Sequence, residues 1–207
     1  AHQVGSAMLC DAILHILDRH IPNAYLAGLL HDIGKILLSH AYPAEYRRAI
    51  TDAMASNIPL ADAERARIGI SHTEAGLIWA RRARLPQPIQ AVMQYYTKPA
   101  SAPVHRELAA LVNVADILTR QHGIGFSGAV WRGEKTGSLR NEPGWQILCE
   151  WADPIFNFES FERQIDRAIA RVRYETSTLL SEISSPADTA PPPRKKKKRG
   201  LKALLSR

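Results

Sequence analysis

The sequence predicts an all-α fold, and three observations carry that prediction. Apolar residues recur at intervals of three and four through most of the 207 residues, which is the spacing that gathers them on one stripe of a helix. Pro, Gly and Ser cluster between those stretches, where helices must start or stop. No segment reads as a credible strand, and no internal repeat is present. A chain of this length buries one good core and is short for two, so a single helical bundle over residues 1–183 is expected.

The elements follow in order. Residues 2–19 place His2, Ser6, Leu9, Ile13, Ile16 and Leu17 on one face, and Ile21-Pro22-Asn23 breaks that helix. A second helix is expected from about Ala24 toward Gly34, where the glycine and Lys35 suggest an end or a kink. Further helices are expected over 42–55 and, after the Ile58-Pro59 turn, over 61–70. Ser71, with Glu74 three residues on, has the pattern of a capping box. The helix it opens carries His72, Ala75, Gly76, Trp79 and Ala83 on one stripe. Pro86 and Pro88 introduce PQPIQAVMQYYTKP, closed by Pro99. Residues 106–121 are amphipathic again, with Leu108, Leu111, Val112, Ala115, Asp116 and Thr119 in line. The glycine-rich stretch GIGFSGAVWRGEKTGSLRNEPG then has the length of a mobile or functional loop. After WQILCEW, a last helix keeps Phe158, Phe161, Ile165, Ile169, Val172 and Thr176 in period. Residues 184–193, SSPADTAPPP, have the composition of an extended, disordered linker, and 194–207, RKKKKRGLKALLSR, form a basic tail with a short amphipathic end.

Charge is distributed unevenly. The formal net charge is +7, but residues 194–207 hold eight of the 27 Lys and Arg and none of the 20 Asp and Glu. The body is therefore close to neutral at −1, and the high pI gives no warrant for a nucleic-acid-binding face on the fold. Cys10 and Cys149 stand far apart without CxxC spacing, which suits two buried thiols in a reducing compartment. Nothing approaches the run of about 18 apolar residues that a membrane span requires, and the opening residues lack a signal peptide's pattern. A cytoplasmic protein is expected. Because a patterned helix begins almost at once behind a first residue that is Ala, upstream sequence is expected to be missing.

Four polar residues sit where the pattern calls for apolar ones. His31 and Asp32 interrupt AYLAGLLHDIGKILLSH, His2 lies on the first stripe, and Asp116 on that of ELAALVNVADILTRQ. Burying either member of the His31-Asp32 pair without a partner costs several kcal/mol, and one shared divalent metal would satisfy both. Each also has a plainer reading. Asp116 fits a buried ion pair or cap, His31 a core histidine bonded to a backbone carbonyl, Asp32 a bridge between helices, and His2 a solvated residue near a chain end.

The pattern His2, His31-Asp32, Asp116 resembles the HD superfamily of helical metal-binding domains. The resemblance implies one metal held by these four residues. Two imidazoles and two carboxylates suit Mn, Fe, Zn or Mg, and such an ion could activate water for phosphoester hydrolysis, with Asp32 and Lys35 as the catalytic residues of an enzyme. Lys35 would then hold a phosphate oxygen, against the alternative of a solvated lysine. The order GLLHDIGK, ISHTEAGLIWARRARLPQPIQAV, LVNVADILTRQHGIGFSG is similar to the HDOD branch over residues 2–128, which implies a bacterial regulatory output module with a signalling protein as partner. Members of that branch have generally shed part of the metal site, whereas this sequence keeps all four residues. It differs equally from the HD-GYP branch, which hydrolyses cyclic di-GMP at a site of two or three metals. Gln94, Tyr95, Tyr96 and Thr97 stand where that branch has paired histidines followed by Gly-Tyr-Pro. His72 matches one of its second-metal histidines and reads here as a supporting or packing residue. A regulatory module is the main reading, and a phosphohydrolase acting on a nucleotide or other phosphoester the alternative.

His15, His20, His40, His105 and His122 fit exposed or helix-end positions, and Trp131, Trp145 and Trp151 fit core packing. The basic tail is expected either to remain a solubilising end or to touch anionic lipid or nucleic acid. If it does touch polyanions, deleting residues 194–207 eliminates binding to anionic vesicles or DNA, and full-chain binding weakens steeply with salt. Undiminished binding by the shortened chain in a sedimentation assay would move the interaction onto the body.

Overall fold

In a computed structural model, which describes residues 1–128, 139–152 and 157–184, the chain runs through α1 (His2–Ile16), α2 (Ala24–Leu30), α3 (Ile33–Ala41), α4 (Pro43–Ser56), α5 (Leu60–Ile68), α6 (His72–Arg82), α7 (Gln87–Tyr95), α8 (Arg106–Gln121), α9 (Pro143–Ala152) and α10 (Phe158–Ser184). There is no strand among the described residues. The last helix ends on the first residue of the expected linker. The rest of that linker, the basic tail and Trp131 lie outside the described residues.

Helix α8 is the axis of the fold. Every residue from Leu108 to Thr119 is buried, which explains why its sequence is apolar nearly all round instead of on a single stripe. Leu9, Ile13 and Leu14 of α1, Ile89, Val92 and Met93 of α7, and Trp145 and Leu148 of α9 join Leu111, Val114 and Ala115 in one continuous core. The apolar face of α10, read from Phe161 through Val172, closes that core. Trp145 packs on Phe161 at a ring separation of 4.6 Å, the core role expected of it. A smaller cluster of Ala49, Ala53, Leu60 and Ala63 joins α4 to α5, and Leu38, Tyr46 and Ala75 join α3, α4 and α6. Cys10 is buried and Cys149 half-buried, not fully buried as expected, and both are free thiols.

Two boundaries differ from the pattern. The first helix stops at Ile16 because Asp18 turns into the left-handed region at φ 49°, ahead of the proline that marked the break. The second difference matters for the site. Gly34 neither ends nor kinks a helix. The chain breaks two residues earlier, at Asp32, whose φ of −101° and ψ of 12° separate α2 from α3. Gly34 lies inside α3, and its missing side chain lets α3 settle against α6. A Cβ there would overlap the His72 carbonyl and come within 2.9 Å of the Gly76 nitrogen. The segment 35–41, left unassigned by periodicity, is the rest of α3.

Ser71 caps α6 as its sequence predicts. Its hydroxyl accepts from the Glu74 backbone N–H at 3.3 Å, and the Glu74 carboxylate accepts from the Ser71 N–H at 2.8 Å. Partial burial pushes the Glu74 carboxyl up, but these bonds and Arg65 outweigh it and hold the pKa low. The two features give a graded expectation. Ser71→Ala should cost about 1 kcal/mol as a lost cap, and Gly34→Ala should cost at least about 2 kcal/mol because backbone, not a flexible side chain, must move aside. Urea unfolding of both variants measures the difference; equal losses would mean that α3 and α6 can separate freely.

Candidate metal centre

Four elements deliver the four polar misfits to one point. His2 comes from the first turn of α1, His31 from the end of α2, Asp32 from the break before α3, and Asp116 from the third turn of α8. All four are buried, and each offers one ligating atom within 4.8 Å of the others. His2 Nε2 lies 2.9 Å from Asp116 Oδ1 and 3.7 Å from Asp32 Oδ2. His31 Nε2 lies 3.5 Å from Asp32 Oδ2 and 3.7 Å from Asp116 Oδ1. The break at Asp32 is what allows neighbours in sequence to share a site, since successive residues of an unbroken helix point about 100° apart.

Backbone chemistry orients the rings. His31 Nδ1 donates to the Gly28 carbonyl at 2.7 Å, so the proton of a neutral ring sits on that nitrogen and the Nε2 lone pair faces the two aspartates. His31 Nε2 has no hydrogen-bond partner although it is buried. An imidazole fixed through one nitrogen, with the other bare and aimed at two carboxylates, fits the donor set of a divalent cation. His31 therefore has both features proposed from its sequence, a carbonyl bond and a free ligand atom. Ser6 and Thr119, hydroxyl to hydroxyl at 3.2 Å, tie α1 to α8 one turn away. On the other side Gly125, at φ 71°, brings the loop so close that a Cβ would overlap the His2 backbone nitrogen.

The aspartates are neutralised by cations on the rim. Arg120 Nη2 lies 2.8 Å from Asp116 Oδ2, and Lys35 Nζ lies 2.6 Å from Asp32 Oδ2 and 2.9 Å from the Ser127 carbonyl. Burial alone would raise both carboxyl pKa values. For Asp32 the Lys35 ammonium and His31 outweigh it, and for Asp116 Arg120, His2 and His31 do so, holding each well below the carboxylate range. Burial also disfavours charge on His31, but Asp32 and Asp116 raise its pKa above the ordinary histidine value. Lys35 is thus a paired, half-buried residue of the site and not a solvated lysine.

An open pocket of about 260 Å³ leads to the cluster. His2, Asp32 and Lys35 form its polar floor, and Ile36, Tyr46 and Phe126 its apolar wall. Phe126 is 68% exposed. Ser127 and Gly128 complete the rim, so the start of the glycine-rich stretch belongs to the site. His72 lies one shell outward, bonded to Tyr96 and not to the quartet. His15, His20 and His40 are exposed, and His105 and His122 lie half-buried at the ends of α8.

Sequence reasoning missed Arg120, Tyr96 and Glu64. Arg120 carried a usable signal, standing four residues after Asp116 on one helix. Tyr96 and Glu64 carried none, because their roles arise from packing between distant segments.

The HDOD domain model matches residues 1–99, which leaves Asp116 outside the matched segment. An uncharacterized protein of Treponema pallidum (strain Nichols) is 29% identical over 102 residues, covering 48% of this chain and 20% of the relative. Among solved structures, an HDOD domain protein of unknown function from Geobacter sulfurreducens superposes with a TM-score of 0.71 at 24% identity, covering 86% of this chain and 61% of the other. A candidate phosphohydrolase from Shewanella amazonensis SB2B gives 0.56 at 17% identity, and a candidate signal transduction protein from Marinobacter aquaeolei VT8 gives 0.60 at 18%. Each is covered at 86% of this chain, and this chain spans 58% and 39% of their lengths. These likenesses carry the fold.

The ion pairs yield a prediction for metal-free protein. Asp116→Asn preserves volume but leaves Arg120 and His2 facing an amide. Breaking a fully buried pair costs about 3–5 kcal/mol; with Arg120 a quarter exposed, about 2–3 kcal/mol is expected. Urea unfolding in chelator tests this, and a loss below about 1 kcal/mol would show that the carboxylate contributes little to the apo fold.

Proposed function

From the premise that this chain belongs to the HDOD domain family, matched over residues 1–99, we infer that it is a signal-transduction module whose helices are stapled by one divalent metal at His2, His31, Asp32 and Asp116. The observation that carries the metal is the convergence of four buried ligand atoms from four elements, one of them, His31 Nε2, without any other partner. Mixed nitrogen and oxygen donors favour Mn, Fe or Zn over Mg, which prefers an all-oxygen shell. A signalling protein is the proposed partner. It would read the surface that the assembled helices present, so metal acts on the output through structure.

A second reading rests on the pocket. Its floor of His2, Asp32 and Lys35 is suited to a small phosphoester or nucleotide, for which the metal would supply Lewis acidity and an activated water. In that reading Asp32 helps to hold the ion, and Lys35 orients a phosphate oxygen.

Metal analysis of the purified chain is the first test, with about one ion per chain expected and tight binding lost in His31→Ala. Saturating metal should raise thermal stability, by about 4 kcal/mol at a thousandfold excess over Kd. No ion after metal-replete purification would overturn the proposal. The two readings separate on Asp32→Asn, assayed with nucleotides and a generic phosphodiester in Mn, Fe, Mg and Zn. Metal-dependent turnover that vanishes in this variant while melting stays near wild type would establish the enzyme; no turnover, with partner binding that tracks stability, would establish the module.

A further inference from the structure

Behind Asp32, on the side away from the pocket, three residues form a polar chain that the proposed function does not use. Glu64 on α5 is fully buried, and His72 and Tyr96 are almost so. Glu64 Oε2 accepts from the His72 backbone N–H at 2.7 Å and lies 2.5 Å from His72 Nδ1. His72 Nε2 lies 3.0 Å from Tyr96 Oη, and Tyr96 Oη donates to Asp32 Oδ1 at 2.7 Å.

The direction of these bonds follows from their acceptor end. The Asp32 carboxylate, paired with Lys35, can only accept, so the single hydroxyl proton of Tyr96 points at it. The Tyr96 oxygen then faces His72 as an acceptor, which requires a proton on Nε2. Between His72 Nδ1 and Glu64 Oε2 two bare lone pairs would repel at 2.5 Å, so a further proton sits in that gap. The Tyr96 hydroxyl therefore donates to Asp32 and accepts from His72 Nε2, and Glu64 holds His72 in place through both its backbone N–H and its Nδ1.

The chain determines how Asp32 can bind a cation. Its Oδ1 accepts from Tyr96 on the far side, so Oδ2, which also accepts from Lys35 at 2.6 Å, is the oxygen turned toward His2 and His31, at 3.7 and 3.5 Å. The Tyr96 hydroxyl bridges the two donors that could hold a second ion beside the first, Asp32 Oδ1 at 2.7 Å and His72 Nε2 at 3.0 Å, and so occupies the place such an ion would need, while Glu64 spends Oε2 on His72 and keeps Oε1 buried without a partner. We infer that Tyr96, held by His72 and Glu64, makes Asp32 a one-oxygen ligand and restricts the centre to a single ion. Tyr96 is thus a positioning residue that determines metal stoichiometry. This inference rests on the metal reading of the quartet.

The test uses the full chain and two readouts. Mn(II) titration by calorimetry should give one ion for wild type, and a Kd weakened about 10- to 100-fold, as is typical on loss of an outer-shell partner, for Tyr96→Phe, which keeps the ring against His31 and removes only the hydroxyl. His72→Gln, whose amide can still donate to Tyr96, should retain more affinity than His72→Ala. Independently of metal, ¹⁵N spectra of the apo protein should show a proton on His72 Nε2, the nitrogen that faces Tyr96. Two ions of comparable affinity in wild type, or wild-type affinity in Tyr96→Phe, would overturn the role of Tyr96 while leaving the metal reading intact. No ion in wild type would overturn that reading and the stoichiometric role together. A bare His72 Nε2 would overturn the hydrogen-bond chain itself.

Discussion

Two carboxylates buried side by side set the terms for the rest of this fold. Asp32 and Asp116 are almost fully buried, so they would repel each other, and burial opposes the ionisation of each. The structure answers with charge from several directions: Lys35 from α3, Arg120 from α8, and the imidazoles of His2 and His31 between them. None of these groups lies where simple packing would have put a polar residue. The first turn of α1 has to start against α8, the glycine-rich stretch has to press on its backbone, and α2 has to end where His31 can reach inward. A helical bundle built only to bury apolar surface would need none of this.

The same constraint bears on function. A cluster whose protein cations already neutralise it keeps its shape before any ion arrives, so an ion would add rigidity to a preformed arrangement. That behaviour suits a module whose output is its surface. The pocket above the cluster pulls the other way, since a purely structural staple has no need of an open approach with a lysine at its edge. Both properties reside in the same few residues, and chemistry can be lost from such a site while its architecture stays.

Much of this was legible in the sequence. His2 and Asp116 announced themselves as polar residues on apolar stripes, and Ser71 with Glu74 wrote out a helix start that the structure reproduces bond for bond. What stayed hidden depended on contacts between elements. Gly34 reads as a break because glycine usually is one, and nothing in the local sequence tells that another helix backbone lies against it. Tyr96 reads as one of two adjacent tyrosines, and only the packing of α7 beside α2, α6 and α8 distinguishes the one that meets Asp32 from its half-buried neighbour. Arg120 was the readable omission, a basic residue one turn beyond a misplaced acid.

The break at Asp32 has a mechanical meaning. His31 belongs to the end of α2 and Asp32 to the beginning of α3, so the gap between their ligating atoms depends on the angle at which those two helices meet. The Gly34 contact with α6 and the bonds from Tyr96 and Lys35 to Asp32 fix that angle, and with it the gap. The doublet is in effect a gauge mounted across a helix junction, expressing the relative orientation of two helices as a distance between two polar atoms.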